Sequence, residues 1–223
     1  MTTAADIDIV GARPLDPARP VRVLLWDADG VLQHQLRRGE PDAAWTPRLD
    51  AWGGEGFAEA VFAAEVPALR GERPFREVLA DVLDTWPGVT ADVDDLLSLW
   101  EEVAVDSEAI DLVHEVAASG VECVLATNQQ DHRKEFLRHH FDYDDVFAQS
   151  FYSCDMGAMK PEPAYFERVL DALGIRPEDA GDVGFVDDNE ANVRTAAALG
   201  IRAVHHDPDG GVEGLRNVLG WSV

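Results

Sequence analysis

The chain has 223 residues, 46% apolar and 27% charged, enough for one α/β domain with a modest insertion and too few for two large independent domains. With 18 basic residues against 43 acidic ones the net charge is −25, a field that repels polyanions and argues against nucleic acid or an anionic membrane surface as a partner. No apolar stretch reaches the ~18 residues of a membrane span. The first twenty residues carry acids where a signal peptide has basic residues and an apolar run. Cys123 and Cys154 match neither a zinc pattern nor a disulfide framework, so the expectation is a cytoplasmic protein with two reduced thiols.

Residues 1–20 read as an N-terminal extension punctuated by Pro14, Pro17 and Pro20. Val21 to Trp26 is a β-branched and apolar run that predicts a buried strand, ending in Asp27-Ala28-Asp29-Gly30. Residues 33–52 are polar and rich in turn formers, with Trp45 and Trp52 among them. Three helical patterns follow, over about 55–66, 72–86 and 91–103, separated by Pro67, Pro74 and Pro87-Gly88. No strand is predicted between about 33 and 106, so 33–105 reads as a helical insertion in a core made of 21–32 and 106–223.

From Ser107 the pattern alternates. A helix ending at Gly120 precedes a strand from Val121 to Ala126, and a helix over 129–140 precedes a short strand near 148–153. A helix from Pro161 to Leu173, a strand from Val183 to Val186 and a helix from about Asn189 to Leu199 come next. The strand Ile201–His205 and a short C-terminal helix complete the chain. Strands alternating with helices predict a parallel, Rossmann-like α/β sheet with crossover helices, carrying a small α-helical cap.

Ligands in such sheets bind beyond the carboxyl ends of the strands, and those ends here carry the chemistry. Residues i and i+2 of an extended chain face the same way, so Asp27 and Asp29 can share one pocket, one carboxylate attacking while the other carries a proton. D-x-D-G is equally good turn chemistry. Asp187-Asp188 follows the apolar Val183 strand and offers hard oxygen ligands for Mg²⁺, or Asp188 or Asn189 caps the next helix. Thr127-Asn128 combines a hydroxyl, an amide and the start of a helix, which suits either a phosphate cradle or a helix cap. Lys160, one of only two lysines beside Lys134, lies just before Pro161 and would set a point charge between a carboxylate and a phosphoryl group, or stand exposed in a loop. The pairs His139-His140 and His205-His206 read as surface positions, and the six Trp as packing residues.

The four segments LLWDADGVL, VLATNQ, GAMKPEPAYFERVLDALG and VGFVDDNEANVRTAAALGI, in this order, resemble the haloacid dehalogenase-like hydrolase superfamily. The resemblance covers roughly 21–35 and 106–206 and is greatest to phosphatases with a small helical cap, among them sugar-phosphate phosphatases and the phosphatase domain of epoxide hydrolases. It implies Asp27 as nucleophile and metal ligand, and Asp29 as general acid and base with its backbone carbonyl on the metal. It implies Thr127, Asn128 and Lys160 around the phosphoryl group, Lys160 also neutralising Asp27. Asp188 would be the direct Mg²⁺ ligand with Asp187 beside it, and Asn192 a supporting polar group. The carboxylates of Asp27, Asp29 and Asp188 and the amine of Lys160 are expected to converge on one point able to hold a divalent ion and a tetrahedral anion.

The activity implied is Mg²⁺-dependent hydrolysis of a small phosphorylated metabolite through an aspartyl-phosphate, by a monomer or homodimer. A phosphosugar mutase or a dehalogenase of the same superfamily, and a non-catalytic phospho-receiver or binding protein, are the alternatives. Trp26 stands where relatives usually have Phe, and the cap matches no known pattern. The leaving group is therefore unassigned, with Gln33, His34, Trp45 and Trp52 as candidates to read it.

Overall fold

The computed structural model describes residues 14–35 and 45–221. Residues 1–13 of the expected N-terminal extension, and 36–44 of the polar stretch entering the insertion, lie outside the described residues. The chain opens with strands β1 (Val23–Trp26) and β2 (Gln33–Gln35), followed by helices α1 (Trp45–Gly53), α2 (Phe57–Leu69), α3 (Phe75–Thr85) and α4 (Val93–Trp100). After β3 (Val103–Val105) come α5 (Ser107–Ala118), β4 (Glu122–Thr127), α6 (Asp131–His140), α7 (Tyr143–Val146) and β5 (Gln149–Tyr152). The rest is α8 (Ser153–Met156), α9 (Pro163–Ala172), β6 (Val183–Asp187), α10 (Glu190–Ala198), β7 (Arg202–His205) and α11 (Gly211–Val218).

Five strands form one parallel sheet in the order β5-β4-β1-β6-β7, so β1 is central and pairs with both β4 and β6. All four residues of β1 are buried, as a strand covered on both faces requires. Alternate side chains serve opposite faces: Leu24 and Trp26 pack with α5 and α11, while Val23 and Leu25 pack with α9 and α10. A third apolar cluster, including Trp45, Phe57, Phe75 and Trp100, belongs to the four helices between β2 and β3. These helices sit on the core through Arg70 with Glu162, and through the Phe75 N–H, which donates to Asp131 at 2.8 Å.

Three expectations need correction. The stretch 33–105 does contain strands: β2 and β3 pair antiparallel, Gln33 opposite Val105, and tie the entry and exit of the cap together. Each has three residues, and the sequence Gln-His-Gln lacks the apolar alternation that marks a strand. Residues 45–53 form α1 rather than a polar turn, because Trp45 and Leu49 stand one helical turn apart and bury together. His206 is buried, its N–H bonded to the Asp187 carbonyl where the chain continues beyond β7. Among the described residues no helix is long and apolar enough to cross a membrane.

Candidate active site

The carboxyl ends of β1, β4 and β6 and the loop before α9 face one cavity of about 410 Å³. A second cavity of about 350 Å³, at the opposite ends of the strands, is lined largely by apolar groups such as Leu15, Val21, Leu219 and Trp221 and holds no carboxylate cluster.

Asp27 follows β1 directly, its N–H continuing the ladder to the Val186 carbonyl at 3.0 Å. Its Oδ1 accepts from the Ala28 N–H at 2.8 Å and pairs with Lys160 Nζ at 2.7 Å. Lys160 Nζ lies equally close, 2.7 Å, to Asp187 Oδ2. Asp187 is fully buried and also accepts from Asn192 Nδ2 and from the Asn189 N–H. The expected cap role at α10 falls to Asn189, whose side chain accepts from the Ala191 N–H, so Asp188 is left to face the cavity.

Asp27, Asp187 and Asp188 can each present an oxygen within 4.8 Å of the others. With a single ammonium among three carboxylates, the fully ionised cluster carries two uncompensated negative charges. Burial, then the charge of Asp187, push the Asp27 carboxyl well above its usual range, against the opposing pull of Lys160. Asp188 is pushed up to about 6 by burial and by Asp187. Burial alone would lower Lys160, but Asp187 and Asp27 outweigh it and hold the ammonium charged. Hard oxygen donors with a surplus of two negative charges fit a divalent cation such as Mg²⁺.

Gly30 makes this approach possible. Its φ is +78°, and a Cβ there would fall 2.2 Å from Asp188 Oδ2. The Lys160 loop is held from the other side by Asn128, whose Oδ1 accepts from the Lys160 N–H and whose Nδ2 donates to the Lys160 carbonyl, both at 2.8 Å. Asn128 therefore positions Lys160 with the amide expected to cradle a phosphoryl group. Thr127, the last residue of β4, borders the cavity, and its Oγ1 accepts from Gln129 Nε2 at 3.1 Å. Helix α6 begins at Asp131, capped by Gln130, three residues beyond the Thr127-Asn128 pair.

Asp29 departs from the expected convergence. It borders the same cavity, but its carboxylate is outside the cluster of three. The alternation of an extended chain ends with β1: the N–H groups of Val31, Leu32 and Gln33 all turn back onto the Ala28 carbonyl, which swings Asp29 aside. There both its oxygens meet the guanidinium of Arg133, at 2.8 and 3.2 Å, and accept also from Gln129 Nε2 and Gln33 Nε2. Arg133 is the residue that sequence reasoning missed. In the run Gln-Gln-Asp-His-Arg-Lys it is indistinguishable from an exposed helical arginine, yet it is 4% exposed.

A family model of haloacid dehalogenase-like hydrolases matches residues 21–200, and the chain belongs to that family. Acyl-CoA dehydrogenase family member 10 of Mus musculus is 30% identical over 112 residues, 49% of this chain and 10% of that protein, so the chain spans about a tenth of that relative's length. A HAD family enzyme of Bacteroides thetaiotaomicron is similar in structure, with a TM-score of 0.72 and 21% identity over 88% of this chain and 98% of that one. The same enzyme in complex with magnesium and inorganic phosphate gives a TM-score of 0.67 at 22% identity, covering 83% and 94%. The L-2-haloacid dehalogenase of Xanthobacter autotrophicus, with chloropropionic acid covalently bound, gives 0.58 at 20% identity, covering 83% and 77%. At these identities the structural likeness speaks for the fold, and the family match places the chain among the haloacid dehalogenase-like hydrolases.

Proposed function

We propose that the protein is a Mg²⁺-dependent phosphatase that hydrolyses a small phosphate monoester through an aspartyl-phosphate on Asp27. The observation that carries this reading is the placement of Lys160 Nζ at 2.7 Å from both Asp27 and Asp187, within a cluster of three carboxylates that stays two charges negative. Asp27 and Asp188, with Asp187 beside them and the Asp29 carbonyl, would hold the Mg²⁺ ion, which supplies charge neutralisation for the transferring phosphoryl group.

Asp27 Oδ1 is committed to Lys160 and the Ala28 N–H, which leaves Oδ2 to attack phosphorus. The new bond joins Oδ2 to phosphorus as the bond from phosphorus to the leaving oxygen breaks. Asp29 enters this step as the neutral acid and gives its proton to that oxygen, releasing an alcohol. It then takes a proton from the water that attacks phosphorus, and the bond to Asp27 breaks to free inorganic phosphate. Lys160 keeps the attacking carboxylate oriented and offsets negative charge on the phosphoryl oxygens.

A dehalogenase is the second reading. It needs neither an acid two residues after the nucleophile nor surplus negative charge for a cation, and Asp29 with the Asp187-Asp188 pair weighs against it. The test is inorganic phosphate release across a panel of sugar phosphates, nucleotides and phosphorylated acids, with and without Mg²⁺, beside chloride release from 2-chloropropionate. Asp27→Asn is expected to lose phosphate release by at least about a thousandfold. Full Mg²⁺-dependent activity in that variant removes Asp27 as nucleophile, and chloride release without phosphate release favours the dehalogenase.

A further inference from the structure

We propose that Arg133 is the positioning residue that holds Asp29 for proton transfer, an inference that rests on the phosphatase reading. Arg133 lies on α6 in the core and is 4% exposed. A buried arginine is costly unless its donors are matched, and here two guanidinium nitrogens engage the two Asp29 oxygens as a fork. Its guanidinium carbon lies 4.9 Å from the ring centre of Trp45, the first residue of cap helix α1, and the charge of Glu65 on cap helix α2 also acts on it. Arg133 does not border the 410 Å³ cavity, so it acts through Asp29 and not on the phosphoryl group.

An ionised carboxylate has about four lone-pair sites, and each has a donor on Asp29: two from Arg133, one from Gln129 and one from Gln33. In the acid form one of those sites carries the proton instead, so an amide donor gives way and the O–H is freed to meet the leaving oxygen. The fork keeps the carboxyl in place while that exchange occurs. Gln33 is itself held, its Oε1 accepting from Tyr143 Oη at 2.8 Å. A lysine would supply the charge but neither the fork nor the flat face against Trp45.

The signature of such a role is dependence on the leaving group. An alkyl phosphate needs a proton on its departing oxygen, whereas p-nitrophenyl phosphate loses a stable phenolate without one. In single turnover, Arg133→Gln and Arg133→Lys should slow alcohol release from glycerol phosphate at least about tenfold and phenolate release from p-nitrophenyl phosphate by less than about threefold, while hydrolysis of the aspartyl-phosphate, which uses Asp29 as base for every ester, slows alike for both. Circular dichroism would verify folding, and the lysine variant, which keeps the charge beside Asp29, serves if the glutamine variant does not fold. Equal slowing of that first release from both esters, or slowing of neither, overturns the proposal. Full recovery of the glycerol phosphate rate by lysine overturns the fork. Wild-type protein that releases phosphate from neither ester nor from any member of the panel above overturns the phosphatase reading, and this inference with it, before any variant is made.

Discussion

Replacing Lys160 by Met tests the charge balance of the site directly. Methionine fills nearly the same volume, so packing is kept while the ammonium is lost. Each of the two 2.7 Å contacts is worth about 6 kcal/mol of Coulomb attraction at an effective dielectric constant of about 20. Most of that is offset by the cost of burying the ammonium, and breaking a buried pair typically leaves a net loss of about 3–5 kcal/mol. The loss must depend on pH. Burial and Asp187 already raise Asp27 above its ordinary value of 3.8, and removing Lys160 removes the main opposing pull. An acid raised in the folded state contributes its full stability below the unfolded value and loses it as pH rises through the folded one. The variant should therefore nearly match wild type near pH 4 and fall behind by about 3–5 kcal/mol near pH 8. Mg²⁺ should recover more stability in the variant than in wild type, because the surplus charge rises from two to three. Urea unfolding at the two pH values, with and without Mg²⁺, measures all of this. A deficit that is absent at pH 8, or the same at both pH values, would refute the account of Lys160 as the shared counter-ion.

Two further changes probe the site and the cap. Gly30→Ala places a methyl group where Asp188 Oδ2 now sits and forces a left-handed alanine, so it should cost about 1–2 kcal/mol of stability and weaken Mg²⁺ binding at least about tenfold, read by calorimetric titration. Unchanged Mg²⁺ affinity would separate Gly30 from the placement of Asp188. Glu65, whose Oε1 accepts from Trp100 Nε1 at 2.9 Å, is pushed up to about 7 by burial, with Arg133 opposing. Because 7 exceeds the ordinary 4.5, its contribution is complete below about pH 4.5 and is lost as pH rises to about 7. The full shift corresponds to about 3 kcal/mol, reduced to about 1–2 because the side chain is only half-buried. Glu65→Gln keeps an acceptor for Trp100 and should flatten that slope in urea midpoints between pH 5 and 8. An unaltered slope would assign the titration elsewhere.

The parts legible from the amino acids are those where one physical cause dominates. A fully apolar tetrapeptide that ends in an acid marks a buried strand delivering a carboxylate, and this holds for Val23–Trp26 before Asp27 and for Val183–Val186 before Asp187. Glycines with positive φ after α5, α9 and α10 close helices where expected, at Gly120, Gly174 and Gly200. The elements that escaped depend on partners distant in the chain. Gln33–Gln35 is a strand only because Val103–Val105 returns beside it, and helix α1 carries Pro47, a residue that reads as a breaker until its place in the first turn is known. The side chain of Asp29 escaped for the same reason, since its direction is set by Arg133, 104 residues away.

The charge of the whole chain bears on the proposed chemistry in a way that local geometry alone does not. A protein at −25 repels a phosphate dianion at long range, so attraction must arise inside the site. Lys160 is the only lysine or arginine among the described residues that line the cavity, and it is already shared by two carboxylates. Arg133, the other buried cation close by, is committed to Asp29. On the proposed reading neither can leave its carboxylates without exposing a buried charge, so Lys160 only adds to an attraction whose net positive charge has to come from a divalent ion. The same two uncompensated charges that would repel the substrate are those that would hold that ion, which makes metal binding before substrate binding the order that the electrostatics favour.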